Sequence, residues 1–251
     1  MTGIIIQARL GSTRLPGKVL KKIGSKTLLG ILIERAKKSK SADKIIVATT
    51  ENPGDEKIAD EARSFGADCF RGSENDVLDR YYQAAKKFGA DIVVRITGDC
   101  PLMDPKVIDQ VIGFYEKNEG DFDYVSNVHP PTFPDGMDVE VFSFKALEQS
   151  WKDAKLVSER EHVTQYMAKN PAIFRIGNVA YKQDVSAMRL TVDTAEDFEL
   201  TKNIFENFSG IDFTLEDILE LKKRKPEIFE INSRFERNEG LKKSIEEDKT
   251  I

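Results

Sequence analysis

Along the first half of the chain, short runs of β-branched residues alternate with stretches whose apolar positions recur every three or four residues. Gly3–Ala8 holds three consecutive isoleucines and runs into a loop rich in Gly, Ser and Pro, which predicts a strand. Thr27–Ser39 predicts a helix, with Leu28, Leu32 and Ala36 four apart. Lys44–Thr49, Asp68–Arg71 and Asp91–Thr97 predict further strands. Asp55–Phe65 and Asp76–Phe88 predict helices, with Asp76 as an N-cap. Asp104 caps another helix that opens on Pro105, with Val107, Ile108, Val111, Ile112 and Tyr115 on one face. Such alternation implies a mostly parallel sheet with helices on both sides. Ligands of open sheets bind outside the carboxyl ends of the strands, here the loops after Ala8, Thr50, Arg71 and Thr97.

The second half changes character. Residues 120–136 form an excursion rich in Gly, Asp and Pro. Met137–Phe144, Ile173–Val179 and Met188–Val192 predict strands, and Lys145–Ala154, Ser158–Lys169, Thr194–Phe208 and Leu215–Lys225 predict helices. Beyond Asn232 the chain is polar. One domain is expected over 1–251, with 120–182 as an insertion or subdomain.

Composition narrows the function. Net charge is −5, yet residues 1–40 carry ten Lys/Arg against one acid, Glu34. An acidic chain is a poor polyanion binder, so nucleic acid is not an expected partner. No apolar run is long enough for a membrane span, and the first residues do not form a signal peptide, so a cytoplasmic protein is expected. Cys69 and Cys100 lack metal spacing, and His129 and His162 form no zinc pattern.

The basic charge converges on one loop, Gln7-Ala8-Arg9-Leu10-Gly11-Ser12-Thr13-Arg14-Leu15-Pro16-Gly17-Lys18, between a strand and a helix. Gly11 and Gly17 allow backbone amides to face an anion, and Arg9, Arg14 and Lys18 supply charge for a triphosphate. The loop matches neither G-x-x-x-x-G-K-[ST] nor G-x-G-x-x-G. It resembles the signature of sugar nucleotidyltransferases that use CTP: the Kdo and acylneuraminate cytidylyltransferases and, more closely, SpsF-like proteins. Gln7 departs from the Pro usual in the first two groups.

Further blocks carry the same resemblance. In Arg71-Gly72-Ser73-Glu74-Asn75-Asp76-Val77-Leu78-Asp79-Arg80 it implies nucleobase recognition by Arg71 and Ser73, with Arg80 in reach of phosphate. Thr97-Gly98-Asp99-Cys100-Pro101 ends a strand where a carboxylate faces the ligand crevice, and Asp99 suits Mg²⁺. Val192-Asp193-Thr194-Ala195-Glu196-Asp197 resembles the family block whose first Asp is the second metal ligand; Glu196 and Asp197 read as helix first-turn charges. The strings around Asp138 and Glu140 and around Glu161 and His162 imply contacts to the acceptor.

The resemblance thus implies a Rossmann-like nucleotide-diphosphosugar transferase fold. It implies a Mg²⁺-dependent transfer of CMP from CTP to a sugar or sugar-acid acceptor, with Arg9, Lys18 and Asp99 catalytic. It also suggests a homodimer formed through 120–170. Three alternatives stay open: a glycosyltransferase using Asp121-Phe122-Asp123, a nucleotide-binding protein without turnover, and an RNA-binding module within residues 1–40.

Overall fold

The computed structural model of the chain describes residues 1–118 and 120–250. The alternating first half builds β1 (Thr2–Gln7), α1 (Leu28–Ala36), β4 (Lys44–Thr50), α2 (Glu56–Ser64), β5 (Asp68–Gly72), α3 (Val77–Phe88), β6 (Ile92–Thr97) and α4 (Pro105–Lys117). A small hairpin, β2 (Lys22–Ile23) with β3 (Lys26–Thr27), stands between β1 and α1. The second half adds β7 (Tyr124–Ser126), β8 (Glu140–Ser143), α5 (Phe144–Asp153), α6 (Val157–Glu161), α7 (Gln165–Lys169), β9 (Ile176–Asn178), α8 (Ala195–Glu206), α9 (Leu215–Arg224) and α10 (Glu239–Glu246).

Seven strands form one sheet in the order β5-β4-β1-β6-β8-β7-β9. The β5-β4-β1-β6 half is parallel, β8 runs antiparallel to β6 and β7, and β9 is parallel to β7. The chain is thus an α/β protein with a mixed, mostly parallel sheet, as its pattern implies. The stretch 120–182 contributes three strands to that same sheet.

Alternation along each strand divides the core. Ile4, Ile6, Val47, Val94 and Ile96 face α1, α2, α4, α8 and α9. Ile5, Ile46, Val93, Tyr124 and Phe142 face α3, α5 and α7. Ile4, Ile5 and Ile6 are all fully buried, and each contributes about 1.5–3 kcal/mol of apolar burial. The caps act as expected. Asp76 accepts from the Asp79 amide at 2.8 Å, Asp104 from the Lys106 amide at 2.8 Å, and Thr194 forms a capping box with Asp197.

Five elements differ from the sequence expectations. The helix expected over 158–169 is broken between α6 and α7, where Val163 takes a left-handed φ of 56°. The strand expected over 137–144 shortens to β8. Met188–Val192 is no strand and pairs only through a bridge from Arg189 to Asp135, because Arg189 turns into a cluster of carboxylates. β7 lies inside the Gly/Asp/Pro-rich excursion, and α10 in the polar tail.

Candidate active site

The carboxyl ends of β1 and β6 open on a cleft of about 810 Å³. Gly98 brings these ends together: its amide donates to the Gln7 carbonyl at 2.8 Å, and a Cβ there would stand 2.7 Å from that oxygen. The loop after β1 is pinned by Leu15, which is buried with Leu28 and Val192. Gly17 takes the left-handed turn that starts the short 3-10 helix Lys18–Leu20, with φ 65°, whereas Gly11 needs no positive φ. Lys18 is thereby driven into the cleft.

Its ammonium lies between two carboxylates, 2.8 Å from Asp99 Oδ2 and 2.6 Å from Asp193 Oδ1. These residues are far apart in the chain, and the backbone joins them: the Val192 amide donates to the Asp99 carbonyl at 2.8 Å. Burial pushes the Asp99 carboxyl up, but Lys18 and the Thr97 hydroxyl outweigh it and hold it at about 2. Burial likewise disfavours the Lys18 ammonium, and the two carboxylates more than offset that and raise it.

Asp193 is further bound by Arg14 at 3.0 Å and by Arg189 at 3.0 Å. Arg189 also holds Asp135 and Asp197, each at 3.0 Å. Asp197 is fully buried, so it is more than a helix first-turn charge: it fastens α8 beneath the site. Glu196 is the first-turn charge expected, paired with Arg234 on the surface. The sequence pattern gave no sign of Asp135 or Arg189, because their pairing depends on chain segments that meet only in the fold.

The cleft gathers Gln7, Ala8, Arg9, Gly11, Ser12, Arg14, Lys18, Arg80, Thr97, Gly98, Asp99 and Asp193 on one side, and Asp138, Glu140, Glu161 and His162 on the other. Three residues expected at the nucleotide lie outside it. Arg71 donates to the carbonyls of Thr50 at 2.9 Å and Asn52 at 2.8 Å and pairs with Glu56, so its fork is spent on the β4–α2 connection. The Ser73 hydroxyl accepts from the Asp76 amide at 3.1 Å. Leu10 packs on the core, and its amide donates to Asp55 at 2.9 Å.

Two cations face the cleft with spare capacity. Among the described residues, neither Arg9 nor Arg80 has a carboxylate within hydrogen-bonding distance; Glu74 lies 3.9 Å from Arg9. Arg80 is 1% exposed and donates from Nη1 to the Ser73 carbonyl at 3.0 Å. Its Nε, the Gln7 Oε1 and the Arg95 Nε are buried without partners among the described residues. Buried polar atoms of this kind are costly, and three of the four among the described residues belong to side chains lining this cleft, the Thr49 hydroxyl being the exception.

The other side is acidic and largely self-paired. Glu140 binds Arg95 and accepts from Tyr124 and Thr164 at 2.6 Å each, so its oxygens are occupied. Burial disfavours its charge, and these partners hold its pKa below the usual carboxylate value. His162 Nε2 lies 3.0 Å from the Ser244 hydroxyl, which donates to Glu161 at 2.8 Å. Burial lowers the His162 pKa, against the pull of Glu161.

Asp138 pairs with Arg237, but burial, Asp135 and Glu140 push its carboxyl up to about 7; burial likewise lifts Asp135 to about 6. The folded chain therefore holds protons that the unfolded chain releases near 3.8. The contribution of these two carboxyls to stability falls as pH rises from there through about 7. Asp138→Asn flattens that slope, which thermal melts recorded between pH 4 and 8 will show.

The glycosyltransferase alternative loses ground here. Asp123 is held by Arg175 at 3.0 Å, and neither it nor Asp121 lines the cleft. Within the basic N-terminal stretch, one of the ten cations is withdrawn from the surface. Arg35 is buried against backbone carbonyls of Leu102, Met103, Ile211 and Phe213, and desolvation lowers its pKa to about 10.

The cytidylyltransferase family model matches residues 3–239. The chain belongs to the cytidylyltransferase family. It is 44% identical over 231 residues to the Methanocaldococcus jannaschii protein MJ1063, covering 91% of this chain and 93% of that one. It is 34% identical to the spore coat polysaccharide biosynthesis protein SpsF of Bacillus subtilis, covering 89% and 94%. The structure of a cytidylyltransferase from Leptospira borgpetersenii superposes with a TM-score of 0.88 at 41% identity, covering 91% of this chain and 96% of that one. No helix among the described residues is long and apolar enough to cross a membrane.

Proposed function

We propose that this cytidylyltransferase transfers CMP from CTP to a hydroxylated sugar or sugar-acid acceptor and releases pyrophosphate. The observation that carries the reading is the pair Asp99 and Asp193 sharing the Lys18 ammonium beside Arg9, Arg14 and Arg80. An oxygen of the acceptor attacks the α-phosphorus in line, and its bond to the β-phosphate oxygen breaks. Arg9, Arg14 and Lys18 bind the β- and γ-phosphates and offset the charge that grows on the leaving pyrophosphate. Arg80 adds a further cation, whose Nε has no partner among the described residues. The rate comes from positioning and electrostatics, with no covalent intermediate.

The donor set suits Mg²⁺. Two carboxylates already share one cation, and no third ligating side chain gathers among the described residues. Mg²⁺ takes one or two carboxylates and completes its shell with phosphate oxygens and water. Asp99 and Asp193 would hold it, and it would polarise the α-phosphate. Asp138, Glu161 and His162 line the acceptor side, with Glu140 anchoring Arg95 behind them.

Pyrophosphate release measured with each of the four nucleoside triphosphates and a panel of hydroxylated sugars and sugar acids tests the reading. Release with CTP alone, only when an acceptor is present, lost to a chelator and restored by Mg²⁺, is expected. Equal release from all four triphosphates would overturn it.

A further inference from the structure

The family match ends at residue 239, and the chain that follows crosses the mouth of the cleft. Glu239 Oε2 lies 2.8 Å from Arg14 on the phosphate loop. Five residues further along the same helix, the Ser244 hydroxyl sits 3.0 Å from His162 Nε2 and donates to Glu161. Just beyond, Asp248 accepts from the Ser158 amide at 2.9 Å and hydroxyl at 2.6 Å. Behind the helix, Arg237 binds Asp138 and donates to the Phe133 carbonyl at 2.9 Å. The strap α10 therefore touches both halves of the cleft, and none of its residues is buried. Polar and ionic contacts hold it, and elements held that way open at low cost.

The chemistry of those contacts is that of the substrates. A carboxylate on Arg14 stands where a phosphate is expected. A hydroxyl between an imidazole nitrogen and a carboxylate stands where a sugar hydroxyl is expected. We infer that the C-terminal strap occupies substrate-binding side chains in the free enzyme through Glu239 and Ser244, and that CTP releases it by taking Arg14, which frees His162 and Glu161 for an acceptor hydroxyl. Nucleotide then binds before acceptor. This inference rests on the cytidylyl-transfer reading.

The unmodified chain and its E239Q and S244A variants test it by calorimetry with CTP, with CMP, and by hydrogen exchange over 240–248. Glu239→Gln strengthens CTP binding about two- to fivefold, the weight of an exposed ion pair, and leaves CMP, which lacks the β- and γ-phosphates, unchanged. Ser244→Ala, which does not touch Arg14, shifts CTP affinity the same way. CTP speeds exchange of the 240–248 amides in the unmodified chain, and CMP does not. CTP binding that E239Q leaves equal or weaker, or exchange that CTP slows or leaves unchanged, overturns the strap alone. No CTP binding by the unmodified chain overturns the cytidylyl-transfer reading and the strap with it.

Discussion

Asp99→Asn leaves the fold intact and lowers turnover with CTP by about 100-fold or more, the scale of one preorganised electrostatic contact at a reacting centre. The residue is chosen because its environment holds it as a carboxylate: its carboxyl sits at about 2, under the influence of Lys18 and Thr97 against the pull of burial. The amide keeps the shape and removes the charge. Lys18 retains Asp193 at 2.6 Å, so the loop stays in place. The discriminating measurement pairs pyrophosphate release with a thermal melt. A variant with an unchanged melt and near-normal turnover removes Asp99 from the chemistry.

Arg189→Met has the largest expected effect on stability. The arginine spreads its donors over Asp135, Asp193 and Asp197, and Asp197 is fully buried. Removing the cation strands carboxylates that burial already disfavours, and breaking such a pair costs about 3–5 kcal/mol. Asn232, which donates to Asp197 at 2.8 Å, offsets little of that loss. Denaturant melts of the two chains give the difference directly, and Arg189→Lys should fall between them, because an ammonium keeps charge without the fork. A loss under about 1 kcal/mol would show that the carboxylates rearrange to other partners.

The parts of the molecule that were legible in the sequence are those whose cause is local. Three isoleucines in a row, or Val107, Ile108, Val111, Ile112 and Tyr115 at helical spacing, state which face is buried within one window. Caps such as Asp76 and Asp104 are readable for the same reason. β7 is three residues long, set among Asp and Gly, and exists because β8 and β9 pair with it. α10 has no apolar stripe that becomes buried, and its contacts lie on the distant loop after β1 and on α6. The site divides along the same line. Asp99 follows the end of β6 and Lys18 lies on the loop after β1, both where the sheet rule points, whereas Asp193 precedes α8 after an expected strand that does not form. Arg71 sits where that rule points too, yet Glu56 and two carbonyls claim its donors, a competition no motif displays. Arg95, buried against Glu140, and Asp135 gain their roles from neighbours far away in the chain.

The hydrogen bond from the Val192 amide to the Asp99 carbonyl has a consequence for assembly. The parallel half of the sheet needs only the chain through β6, and it already carries the phosphate loop and Asp99. The second carboxylate arrives only when residues 188–197 dock, and Arg189 fastens them there. During synthesis the growing chain thus acquires a positively charged cradle long before it acquires the counter-charge that tunes it. The two carboxylates that share the Lys18 ammonium meet only after residues 188–197 have docked on a sheet half that needs no more than the chain through β6.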